Sequence, residues 1–262
     1  MSQTGCQGCR GGEPLGFTFT MAFQPIVDLS RNRVWGYEAL VRGTEGQGAG
    51  HVLSQVDESN RYKFDQACRV KAIELAGELI EDPNTKLSIN FMPNAVYEPA
   101  ACIRVTLEAA RRVGFAHERI MFEFTENERM TDVAHVQRIV DEYRKQGFLT
   151  ALDDFGAGYA GLNLLAKFQP DLIKLDMDLI RGIGSSSSRQ SIVSCLIEMA
   201  RQLRVQVIAE GVETEAELIA LRTAGVILFQ GYLFAKPATA SLPPVHFPNS
   251  NGATVLTGSN AA

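Results

Sequence analysis

Residues 151–162 read ALDDFGAGYAGL, and two incompatible structures can be started from them. Counted from Gly156 the stretch is G-x-G-x-x-G behind an apolar run, with Asp176 twenty positions beyond, the pattern of a dinucleotide-binding turn. Counted from Asp153 it is a strand delivering two adjacent carboxylates, the beginning of a metal site. Only about seven residues separate Gly161 from FQPD, short for a crossover helix in a unit that spans about thirty. A carboxylate about 5 Å from a phosphate charge repels it by about 3 kcal/mol at an effective dielectric of about 20. A divalent cation between them reverses that sign, and Gly156 and Gly158 then let the loop turn sharply beside it. The metal reading is adopted. Neighbouring strand side chains face opposite ways, so Asp153 and Asp154 can share a site only if the strand is ending there.

Outward from this stretch, apolar runs alternate with amphipathic segments. FTMAFQPIV, VWGYEAL, KLSINF, RIMFEF, LTALDDF, DLIKLD, VQVIAE and VILFQGY read as strands. Helix patterns lie between several of them, such as Val133, Val136, Val140 and Tyr143 behind a Thr131 cap, or Ile192, Leu196, Met199 and Leu203 after the serines at 185–188. Eight strands alternating with helices predict a (β/α)₈ barrel, with its polar strand ends gathered at one mouth. Glu38, Asn90, Glu123, Asp153, Asp154, Lys174, Asp176, Glu210 and Gln230 all fall at or near such ends. The glycine-rich passage before the helix around Phe64 to Ile80 puts irregularity in the first strands. The barrel is assigned to 17–240, with a flexible leader over 1–16 and a flexible tail over 241–262.

A chain of 262 residues, 45% hydrophobic, supports a sizeable core. Its net charge of −5 without a basic run argues against a nucleic-acid polymer as partner. No apolar stretch approaches the roughly 20 residues of a membrane span, and the leader lacks a signal-peptide core, so a cytoplasmic protein is expected. Five cysteines without regular spacing fit a reducing compartment, Cys6 and Cys9 forming the one C-x-x-C.

Glu38, Asn90, Glu123, Asp153 and Asp154 offer hard oxygen ligands suited to Mg²⁺ or Mn²⁺. Lys174 lies in a strand expected to be buried, where its ammonium is a salt-bridge partner, a Schiff-base amine or a charge aimed at a phosphorane. Glu210 is a candidate general base, and Glu213 either joins the site or favours a helix N-terminus. Glu126 is a ligand or a loop anchor. Arg42 is a phosphate grip or a surface arginine.

QPIVDL with GYEALVRG, INFMPN, FEFTE, ALDDFGAGYAGL, IKLD, IAEGVET and QGYLFAKP occur in this order over about residues 19–237. Together they resemble the successive motifs of the EAL-domain cyclic di-GMP phosphodiesterases. DDFGAGYAGLNLL with FDQACR is especially similar to EAL domains that accompany blue-light-sensing modules, although no such module fits within this chain. The resemblance implies a modified TIM barrel cleaving one phosphodiester of cyclic di-GMP to linear pGpG, with two ions of Mg²⁺ or Mn²⁺. It implies metal ligation by Glu38, Asn90, Glu123, Asp153 and Asp154, water positioning by Lys174, and a base or water-mediated ligand at Glu210. Glu126 is implied to hold the loop after Asp154, Glu213 and Gln230 to complete the site, and Gln24 and Arg42 to touch guanine and phosphate. A homodimer and a regulatory partner domain are expected at the family level. Ala157, the Ala160-Gly161 pair and INFMP depart from commoner family residues, which bears on the loop's regulation more than on the chemistry. Two rivals stand beside the hydrolase: a cyclic di-GMP receptor that does not cleave, and an aldolase-like barrel using Lys174 as a Schiff base.

Overall fold

In the computed structural model, which describes residues 15–125, 133–158 and 161–248, the apolar runs become β1 (Thr20–Asp28), β2 (Arg33–Arg42), β3 (Lys86–Asn90), β4 (Ile120–Thr125), β5 (Leu149–Phe155), β6 (Leu172–Leu175), β7 (Gln206–Ala209) and β8 (Leu228–Gln230). Strands β2 to β8 run parallel, each beside the next, and β1 closes the ring between β8 and β2. The expected modified (β/α)₈ barrel is therefore present, and its irregularity is definite: β1 is antiparallel to both neighbours. The cause is local. Only residues 29–32 join β1 to β2, a link long enough for a hairpin but not for a crossover. Asp28 organises that turn by accepting from the Ser30 and Arg31 N–H groups and the Ser30 hydroxyl. A short β9 (Ala238–Thr239) lies against the start of β1.

The connecting helices are α1 (Ala49–Leu53), α2 (Arg61–Leu79), α3 (Pro99–Arg112), α4 (Val133–Lys145), α5 (Gly161–Lys167), α6 (Met177–Ile180), α7 (Ser187–Leu203) and α8 (Glu215–Thr223). Helix α4 buries Val136, Ile139, Val140 and Tyr143, as its periodicity predicts. Its anticipated cap, Thr131, lies outside the described residues, as do Cys6, Cys9 and Glu126. Helix α7 starts where expected, with the Ser186 side chain as its N-cap, but its buried face differs. Val193 and Ala200 are the residues it buries, while Ile192 is 50% and Leu203 37% exposed. Among the described residues no helix is long and apolar enough to cross a membrane.

Inside the ring, Ile26, Met121, Ala151, Leu172, Ile208 and Leu228 form an apolar plug, with Trp35 and Leu149 packed against it. Side chains two apart on a strand face the same way. The next inward positions toward the mouth are Gln24, Glu123, Asp153, Lys174, Glu210 and Gln230. The site is the layer directly above the plug.

Candidate active site at the barrel mouth

At the centre of that layer stands Lys174, 1% exposed. Its ammonium lies 2.7 Å from Glu123 Oε2, 3.3 Å from Glu38 Oε2 and 3.3 Å from Asp153 Oδ1, and it also pairs with Glu210 Oε1. Burial alone pulls the Lys174 pKa down, but the four carboxylates outweigh it and hold the group well above its ordinary value. A permanently protonated amine makes a poor Schiff-base nucleophile, which removes the physical basis of the aldolase reading.

One ammonium cannot neutralise this many acids. Burial pushes the Glu123 pKa up to about 8 against the pull of Lys174, with repulsion from Glu38 and Asp153 adding to it. Glu210 is raised for the same reasons. Asp154 rises to about 6 through burial and repulsion from Asp153 and Asp176. An acid cluster with such proton affinity is short of positive charge.

Polar neighbours fix the carboxylates. Asn90 Nδ2 donates to Glu38 Oε1 at 2.7 Å, and Gln230 Nε2 donates to Glu38 Oε2 at 2.7 Å and to Gln24 Oε1 at 3.3 Å. Gln24 donates in turn to the Ala235 carbonyl at 3.4 Å. The Ser88 hydroxyl donates to Glu123 Oε1.

The adjacent aspartates meet the site by a route the sequence reading did not foresee. Strand β5 continues to Phe155, but its pairing with β6 is irregular between Leu152 and Phe155, and Asp154 takes φ +53°. This bulge turns Asp154 to the same side as Asp153. Oxygen atoms of Asp153, Asp154 and Glu210 lie within 4.8 Å of one another. Asp153 Oδ1 is buried without a hydrogen bond, its contact with Lys174 being electrostatic. A clustered set of hard oxygens with an orphaned buried acceptor fits a divalent cation.

Above the cluster opens a cleft of about 360 Å³, walled by Asp176, Met177, Glu213 and Tyr232 beside the acids. Beside it at the mouth, Leu40, Val41, Leu53, Phe64 and Met92 line a more apolar hollow of about 540 Å³, with Asn90 at its edge. Gln24, Glu38, Asp153, Asp154, Lys174, Glu210, Glu213 and Gln230 are brought to the cleft, and Asn90 reaches it through Glu38. Arg42 is engaged locally, donating to the Val41 carbonyl at 2.7 Å. Glu213 does not cap α8; it pairs with Arg181 at 3.0 Å, and the first-turn acid that closes the capping box is Glu217. Asp176, placed at the mouth from sequence, walls the cleft and also caps α6, and Ser88 was overlooked although it sits two before Asn90 on the same strand.

Known proteins are similar to this chain over most of its length. BluF of Escherichia coli, a blue light- and temperature-regulated antirepressor, is 33% identical over 87% of this chain and 56% of its own length. The cyclic di-GMP phosphodiesterase NbdA of Pseudomonas aeruginosa is 30% identical over 82% of this chain and 28% of its own. The chain thus spans about half or less of these curated relatives. Among solved structures, a standalone versatile EAL protein from Vibrio cholerae with bound c-di-GMP superposes with a TM-score of 0.86 at 56% identity, covering 89% of this chain and 98% of that one. The manganese and cyclic-diGMP complex of BlrP1 from Klebsiella pneumoniae gives 0.80 at 34% identity, over 88% of this chain and 57% of its own. The EAL domain family model matches residues 16–237, taking in every strand of the ring and every acid around Lys174, and the chain belongs to the EAL domain family.

Proposed function

We propose that the barrel is a divalent-cation-dependent phosphodiesterase that opens cyclic di-GMP to linear pGpG. The observation that carries the reading is the convergence of Glu38, Glu123, Asp153 and Glu210 on Lys174 at the strand ends, with Asp154 beside them, in a chain similar to proteins named for that activity and solved with that ligand. Glu38, Asn90, Glu123, Asp153 and Asp154 would hold two ions of Mg²⁺ or Mn²⁺. When bound, such ions neutralise phosphate charge and acidify coordinated water.

The chain's own groups then divide the work. Lys174, fixed as an ammonium, presents positive charge where negative charge grows on the phosphoryl oxygens. Glu210, at the end of β7 beside Asp153 and Asp154, accepts a proton from the attacking water. The water oxygen bonds to phosphorus, the bond to one 3′ oxygen breaks, and that oxygen takes a proton from solvent and leaves as a hydroxyl. Gln24 and Gln230, joined to each other and to Glu38, orient the ligand, the apolar hollow receives a guanine, and Arg42 swings from Val41 to a phosphate oxygen. Glu213 completes the wall.

The barrel unit at 17–240 carries this activity, flanked by the leader and the tail. The barrel would act as a homodimer, the assembly that membership of the family leads one to expect. A regulatory partner domain accords with relatives of which the matched part is 56% and 28% of their own length. The compartment is the cytoplasm, where free Cys68, Cys102 and Cys195 stay reduced.

The name antirepressor carried by BluF favours a second reading, a receptor that binds cyclic di-GMP without cleaving it. Chromatography of nucleotides after incubation with Mg²⁺ or Mn²⁺, against an EDTA control, separates the two. Metal-dependent pGpG supports the enzyme; tight binding with intact ligand supports the receptor.

A further inference from the structure

The loops that follow β6, β7 and β8 form one continuous rim. A Cβ on Gly211, φ +64°, would lie 2.5 Å from Met177 Cβ, and one on Gly184 would lie 2.9 Å from Ala216 Cβ, so the loop after β7 and the start of α8 are pressed directly onto the segment after β6. Val212 donates its N–H to the Gln230 carbonyl and accepts from Leu233 N, tying in the loop after β8.

One side chain reaches across the seam between the loops after β6 and β7. Glu217, in the first turn of α8 and 4% exposed, accepts from Glu213 N at 3.0 Å and Thr214 N at 3.1 Å through Oε2. Through Oε1 it accepts from Gly182 N at 3.2 Å and Arg181 Nη1 at 3.3 Å. The other Arg181 nitrogen meets Glu213 Oε1 at 3.0 Å, closing a ring of charge. Helix capping needs only the Oε2 half of this carboxylate. The Oε1 half serves a partner thirty-five residues away in another loop. Burial disfavours the charge, yet the three backbone N–H donors and Arg181 hold the carboxyl below its ordinary pKa.

We propose that Glu217 is a positioning residue, a clamp that locks the loop after β7 to the loop after β6 and so holds Glu213 and Glu210 toward the cleft. This rests on the phosphodiesterase reading for its consequence, though not for its geometry. Glu217 touches neither ligand nor reacting atoms; it acts through the backbone of Glu213 and through Arg181.

Two variants separate the clamp from the cap. Glu217→Gln keeps one oxygen for the helix end but sets an amide NH₂ against Gly182 N and the Arg181 guanidinium, donor against donor. Thr214→Ala removes the reciprocal cap and leaves the carboxylate's bridge intact. The clamp predicts that Glu217→Gln lowers kcat by about tenfold or more and weakens Mn²⁺ binding in calorimetry by a similar factor, with KM nearly unchanged. Exchange of the Gly182 amide with solvent, followed by NMR, should speed up by about tenfold. Thr214→Ala should lower the thermal midpoint while kcat stays within about twofold of the parent. The proposal is overturned if Glu217→Gln keeps both the parent kcat and Gly182 protection, or if Thr214→Ala reproduces its loss of kcat, since the acid would then be a helix cap alone. If the parent itself yields no pGpG, the phosphodiesterase reading fails instead, and amide exchange and Mn²⁺ titration still decide the clamp.

Discussion

Glu38 illustrates how much a single side chain holds at this site. It accepts from Asn90, Gln230 and Lys174, so three donors face its two oxygens. Truncation in Glu38→Ala strands those donors and removes an oxygen from the proposed cation site. Release of pGpG should fall by about a hundredfold or more, as read by chromatography, while far-ultraviolet circular dichroism stays that of the parent. Parent-level turnover would remove Glu38 from the chemistry. Gly231 is constrained differently. With φ +159°, a Cβ there would sit 2.0 Å from the Val212 carbonyl oxygen and 2.4 Å from its nitrogen, backbone atoms already bonded to Leu233 N and to the Gln230 carbonyl. Gly231→Ala should cost about 1–3 kcal/mol, seen as a lowered midpoint in urea, and displace Gln230 from Glu38.

At the scale of elements, α7 shows where periodicity stops being informative. Ile192, Leu196, Met199 and Leu203 have good helical spacing, yet the helix turns Val193 and Ala200 inward. Leu196 and Met199 still pack partly buried against the core, while Ile192 and Leu203, at the same helical spacing, are left exposed. Ile192→Ser should change stability by no more than about 0.5 kcal/mol, whereas Val193→Ala should cost about 1–3 kcal/mol, a contrast readable in paired denaturation curves. Equal costs would contradict the observed face. The same limit applies to β5: adjacency of two aspartates is visible in the sequence, but the bulge that makes them neighbours depends on how β5 pairs with β6.

For the whole molecule, the acid cluster makes stability depend on protons and on cations. Glu123 at about 8 and Asp154 at about 6 bind protons more tightly in the folded chain than their ordinary values of 4.5 and 3.8 allow. Folded protein therefore carries more protons than unfolded protein between these limits. The stabilisation from that difference is full below the ordinary values and is lost as pH rises through 6 and then 8. In EDTA the thermal midpoint should fall from about pH 4.5 to about pH 8 from this source and level off above it. A divalent cation would replace the missing positive charge. Mn²⁺ at about a hundred times its dissociation constant should restore about 2.7 kcal/mol and flatten that fall. A midpoint in EDTA that rises over this window, or one that ignores Mn²⁺, would contradict the charge account.

The strands, their alternation with helices and the placing of acids at strand ends were all legible in the amino-acid order, because burial imposes a period of two on strands and leaves polar residues where strands emerge. From FEFTE, ALDDFG, IKLD and IAEG one could name the side chains that meet. The order of residues did not disclose that one lysine would lie against four carboxylates, since Glu38 and Glu210 are separated by most of the chain and approach only when β1 closes the ring. Nor did it disclose the work of Glu217. Thr214 and Glu217 spell a capping box in sequence, but the second half of that carboxylate faces Gly182, a neighbour that only the close packing of two loops supplies. Local order fixes what a side chain can do. Closure of the barrel fixes what it does it to, because contacts between distant residues depend on shape and not on spacing.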